Sequence, residues 1–117
     1  MGLRDQILSS QDRPAEKLSI AEWDCDVWIR TMSGKERDAL EAESLAKRGK
    51  NAQANMDNFR SRLAVRCMVD EAGVRVFTDD DADALGEKSA SVLGRIYDVA
   101  ARLNGYTGKD VEELAKN

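Results

Sequence analysis

The chain has 117 residues, 42% of them hydrophobic and 34% charged, with a formal net charge of −4 and a pI near 4.9. A chain of this length makes one domain that buries roughly two-thirds of its unfolded surface, and its balance is that of a folded protein rather than a disordered one. The acidic field disfavours nucleic acid, and no apolar run approaches the roughly 18 residues that span a bilayer. The two cysteines, in a chain that opens without a signal-peptide core, make a disulfide framework unlikely.

Leu3, Ile7 and Leu8 space a short amphipathic segment over residues 1–10, ended by the polar run before Pro14. Met1-Gly2 begins like a myristoylation site, but Gln6 stands where that motif needs Ser or Thr, so no membrane anchor is expected. Leu18 and Ile20 alternate with Lys17 and Ser19, then Val27 and Ile29 with Asp26 and Arg30, predicting a hairpin closed through Ala21-Glu22-Trp23-Asp24. Ser33 and Glu36 have the spacing of a capping box, so a helix begins there, runs through Leu40 and Leu45, and ends at Lys47-Arg48-Gly49-Lys50-Asn51. From Gln53, the series Met56, Phe59, Leu63 and Cys67, with Ala64 and Met68, predicts a second helix. Val74-Arg75-Val76-Phe77 alternates as a short strand that pairs with the hairpin, and Thr78-Asp79-Asp80-Asp81 caps a short helix. Val92, Leu93, Ile96, Val99, Ala100 and Leu103 mark a long helix stopped by Asn104-Gly105, and a final helix over 108–116 carries Val111 and Leu114. These elements make one α+β domain over residues 1–117, mostly helical, with a small antiparallel sheet near 16–20, 26–32 and 74–77.

The chain has no histidine, which removes the commonest general base and any Ser-His or Cys-His pair. Cys25 and Cys67 are too few for a four-thiolate zinc site and are expected to be buried thiols. Asp79, Asp81 and Asp83 imitate the start of a calcium loop, but Ala84 and Ala90 replace the required glycine and bidentate glutamate, so the aspartates are read as helix-capping. No glycine cluster builds a phosphate-binding loop. Neither catalytic residues nor cofactor are expected. Arg60, Arg62 and Arg66 are read as a solvated helix face, although a small nucleic-acid-binding regulator would use them too. Trp23 and Trp28 flank the hairpin, where a core role is usual but an exposed aromatic would anchor a partner.

The stretch Glu22-Trp23-Asp24-Cys25-Asp26-Val27-Trp28-Ile29-Arg30-Thr31-Met32-Ser33-Gly34-Lys35-Glu36-Arg37-Asp38 resembles the tail assembly chaperones of long-tailed (siphovirus-type) bacteriophages and prophages. The opening Leu3-Arg4-Asp5-Gln6-Ile7-Leu8, the run Phe77-Thr78-Asp79-Asp80-Asp81-Ala82-Asp83-Ala84-Leu85 and Val99-Ala100-Ala101-Arg102-Leu103-Asn104-Gly105 look like that family in the same order. The resemblance implies a non-enzymatic protein of the bacterial host cytoplasm. It would bind the phage tape measure protein and keep it soluble while tail tube subunits assemble, and would be absent from the mature virion. The major tail tube protein and further copies of the chain are additional expected partners. A head-tail connector or tail-completion protein is the alternative function. Trp23, Trp28, Val111 and Leu114 are the candidate partner-binding residues. Family members are also made in a longer form by a minus-one ribosomal slip, and Ala115-Lys116-Asn117 is encodable as GCA-AAA-AAC, which contains the slippery A-AAA-AAC.

Overall fold

The computed structural model describes residues 2–46 and 58–106. Alternation sets strands β1 (Ala15–Ile20) and β2 (Cys25–Arg30), paired antiparallel with Ile20 opposite Cys25 and Ala15 opposite Arg30. This register puts Leu18 and Ile20 on the same face as Val27 and Ile29, and Lys17 on the other face beside Trp28. One 3₁₀ turn over Ala21–Trp23 and a left-handed Asp24 (φ 52°) close the hairpin, the Asp24 N–H donating to the Ala21 carbonyl at 3.1 Å. A short Asx side chain tolerates that backbone region.

Helix α1 (Leu3–Leu8) precedes the hairpin and has no buried residue. Helix α2 (Gly34–Ala46) starts on the expected capping box: the Ser33 N–H donates to Glu36 Oε1 at 2.8 Å, and the Glu36 N–H donates to Ser33 Oγ at 3.1 Å. Helix α3 (Phe59–Cys67) is the central element, with only Arg60 exposed.

The third strand is not at 74–77. It is β3 (Met68–Val69), antiparallel to β2 with Ile29 opposite Met68 and Trp28 opposite Val69. Because β3 follows α3 without a loop, the helix delivers these two buried residues straight to the free edge of β2. A turn then sends residues 74–76 back along the far side of β3. Gly73 has φ 85°, and the Asp70 carboxylate accepts from the Ala72 and Val74 N–H groups. Val69 bridges Arg75, and the Val76 N–H donates to the Met68 carbonyl at 3.1 Å, leaving Val74 and Val76 exposed rather than paired with the hairpin.

A capping box of Thr78 and Asp81 opens a 3₁₀ turn over Asp79–Asp81 that runs into helix α4 (Ala82–Leu85). Helix α5 (Ala90–Leu103) ends in a Schellman motif, with the Tyr106 N–H donating to the Ala101 carbonyl at 2.8 Å and Gly105 at φ 73°. Helix α5 lies on β1 and β2, α3 packs against α5, and α2 and α4 flank α3. The core between them includes Ile20, Ile29, Leu40, Leu63, Val92 and Ile96. The α+β class, helix-rich with one small antiparallel sheet, is the one expected. The helix expected over 108–116, the stop at Lys47–Asn51 and the start at Gln53 lie outside the described residues.

Candidate functional site

Arg62 and Arg66 stand one turn apart on α3 and face α2 and the Asp79 turn. Each is 2% exposed, so the expected solvated arginine face holds only for Arg60. Their burial is possible because carboxylates and carbonyls surround them. Arg66 Nη2 lies 3.0 Å from Glu43 Oε2 and 3.3 Å from Asp79 Oδ2, and its Nη1 donates to the Arg62 carbonyl at 2.8 Å. Arg62 Nη1 lies 3.5 Å from Glu43 Oε1 and donates to Ser44 Oγ at 3.1 Å. Asp79 is shared with Arg75 at 2.8 Å, Arg75 reaches Glu36 at 3.7 Å, and Glu36 meets Arg13 at 2.6 Å. This alternation of guanidinium and carboxylate groups acts as a charged brace between α2, α3 and the Asp79 turn. Asp79, read as a capping residue, also serves that brace, while Asp81 accepts from the Thr78 N–H at 2.8 Å.

Asn104 joins three elements from a buried position. Its Oδ1 accepts from the Met32 N–H at 2.8 Å, and its Nδ2 donates to the Ala100 carbonyl at 2.7 Å and to Cys67 Sγ at 3.4 Å. Burial pushes the Cys67 thiol up to about 12, which makes it inert. Cys25, expected to be buried, is instead exposed, at the first position of β2 next to the hairpin turn.

The structure separates the two tryptophans. Trp28 lies half-buried on the outer face of the sheet, with Lys17 Nζ 5.8 Å from its ring centroid. Trp23 lies at the hairpin turn on the core side and, with Phe77, Ala84, Leu85 and Lys88, lines an apolar groove of about 370 Å³ between the turn and α4. The turn is clasped to α5 by Glu22 and Arg95 at 2.6 Å, and hydrogen bonding from that guanidinium holds the Glu22 carboxyl below its usual range. Across α4 from the groove, Glu43, Arg62, Asp79, Asp80, Asp83 and Glu87 line a polar cleft of about 550 Å³. Beside it, a Cβ on Gly86 would overlap the Asn58 side-chain amide, which donates to the Ala82 carbonyl at 2.9 Å and would have to move aside. Phe77 and Leu85 escaped notice as groove walls because their sequence signals mark only a strand end and a short helix. Val111 and Leu114 lie outside the described residues.

A family model described as phage tail assembly chaperone matches residues 3–117. The chain belongs to that family. Among solved structures, this chaperone resembles the bacteriophage HK97 tail assembly chaperone with a TM-score of 0.62 and 18% identity, over 86% of this chain and 95% of that one. At that identity the likeness is one of fold. No curated protein matches the chain significantly. Among the described residues, the exposed apolar features of this chaperone are the Trp23 groove, the Leu3, Ile7 and Leu8 side chains of α1, and Val74 and Val76 beyond β3.

Proposed function

We infer that this chaperone binds the phage tape measure protein in the host cytoplasm, keeps it soluble while the tail tube assembles around it, and is left out of the finished virion. The observation that carries this reading is the family match across residues 3–117. An acidic, helix-rich domain that leaves apolar side chains uncovered suits a long helical client whose apolar stripes await enclosure by the tube. Trp23, Trp28, Val111 and Leu114 are the proposed contact residues, with the major tail tube protein and further copies of the chain as additional partners. A longer form made by a minus-one slip at Ala115-Lys116-Asn117 belongs to the same proposal, and the gene's last codons decide it.

Co-expression with the tape measure protein encoded nearby tests the function. The expected result is a soluble client that co-purifies with this chain. A client that stays insoluble with both the short and the lengthened forms removes the proposal, as do abundant copies of this chain in purified virions.

A further inference from the structure

We propose that the groove between the hairpin turn and α4 receives an apolar side chain of a client helix whose flank is basic, the flank lying over the acidic cleft across α4. This inference rests on the client-binding function proposed above and names its surface and the chemistry of its partner.

The groove is preformed. Trp23 is the last residue of a 3₁₀ turn pinned by the Glu22–Arg95 pair, Phe77 immediately precedes the Thr78–Asp81 capping box, and Leu85 is buried in the core. Two rigid aromatic walls around an apolar floor make the kind of pocket in which an interface anchor is desolvated, and little side-chain entropy is lost on binding. Lys88 contributes its stem to the same wall.

Charge selects the partner. On the other side of α4, Asp80 and Glu87 are exposed and have no ion-pair partner among the described residues, and Asp83 meets only the Asn58 amide at 3.2 Å. A helix lying across α4 with an apolar residue in the groove would carry its neighbouring flank over these carboxylates. Lysine or arginine there is attracted and glutamate is repelled, which sets orientation and discriminates between partners.

Two probes test this: a synthetic amphipathic peptide with leucine on one face and lysine along its flank, and its twin with glutamate along the flank. A Trp28→Phe background leaves Trp23 as the sole indole reporter, and because Trp28 is itself a proposed contact, affinities are measured by calorimetry in the parent chain. Ala84 is exposed on α4, so Ala84→Arg fills the groove without removing a core contact. The expected result is a shift in Trp23 emission with the lysine peptide, affinity lower by on the order of ten-fold or more in Ala84→Arg at unchanged Tm, and weak binding of the glutamate twin. Equal binding by Ala84→Arg, equal binding of the two peptides, or no binding of either overturns the proposal.

Co-expression with the tape measure protein separates the groove from the function. Loss of client solubility in Ala84→Arg alone supports the groove. Client solubility preserved in both forms overturns the groove and leaves the function standing. Insolubility with both removes the function itself. If Ala84→Arg changes only the sedimentation of the free protein, the groove joins copies of this chain and the proposal fails.

Discussion

Arg66 is accommodated at 2% exposure because Glu43, Asp79 and the Arg62 carbonyl supply it with acceptors. Glu43 serves both Arg62 and Arg66, so removing its charge takes one ion pair from each of two buried cations. Breaking a fully buried pair costs ~3–5 kcal/mol, and since Glu43 is 32% exposed, Glu43→Gln is expected to cost ~2–3 kcal/mol, measured by urea unfolding. The cysteines diverge for a related reason. Exposed Cys25 should react with a thiol reagent within minutes, whereas Cys67, under Asn104 and with its thiol pushed up to about 12, should react only after unfolding. One labelled thiol per native chain and two per denatured chain is the expected mass shift.

At the scale of elements, the caps were legible and the long-range partners were not. Ser33 with Glu36, Thr78 with Asp81, and Asn104-Gly105 each state their geometry within a few residues, and each boundary falls where that chemistry puts it. Gly105→Ala forces a Cβ into a φ of 73° and is expected to cost ~1 kcal/mol by thermal melting, because Schellman termination needs the left-handed residue. The third strand was misplaced because Val74 and Val76 alternate like a strand, while what makes Met68–Val69 the true one is the arrival of α3 at the β2 edge. The burial of Arg62 and Arg66 was hidden in the same way, since their acids lie on α2 and beyond β3. In the groove, Trp23 was recognisable as an aromatic at a turn, but nothing local ties it to Phe77 or Leu85. Helix α1 and helix α3 are opposites. Ile7 is 59% exposed and Leu63 is 0% exposed, so Ile7→Ser should move stability by less than ~0.5 kcal/mol and Leu63→Ala should lower it by ~2–5 kcal/mol in the same urea titration.

For the whole molecule, the groups whose titration is displaced by burial all point towards alkaline instability. Burial raises Cys67, Tyr97 and Tyr106, so each favours the folded state while neutral. A group raised on folding gives its full contribution below its unfolded value and loses it as pH climbs to the folded one. For Cys67 that window opens at 9.0 and closes near 12. Melting temperature should therefore fall as pH rises above about 9, and Cys67→Ser should flatten the first part of that fall. A Cys67→Ser curve as steep as the parent's would assign the alkaline loss to the tyrosines instead.

The arginine brace also has a consequence across lineages. Glu43 bridges Arg62 and Arg66, and Asp79 reaches Arg66 from the other side, so no one of these four residues is well tolerated in the absence of the others. Apolar side chains of matching volume can replace such a set only as a group. Positions 43, 62, 66 and 79 should therefore mutate together: homologues would carry either the full charged quartet or a hydrophobic one. Mixed combinations, if they persist, should be rescued by a compensating change within the same four sites.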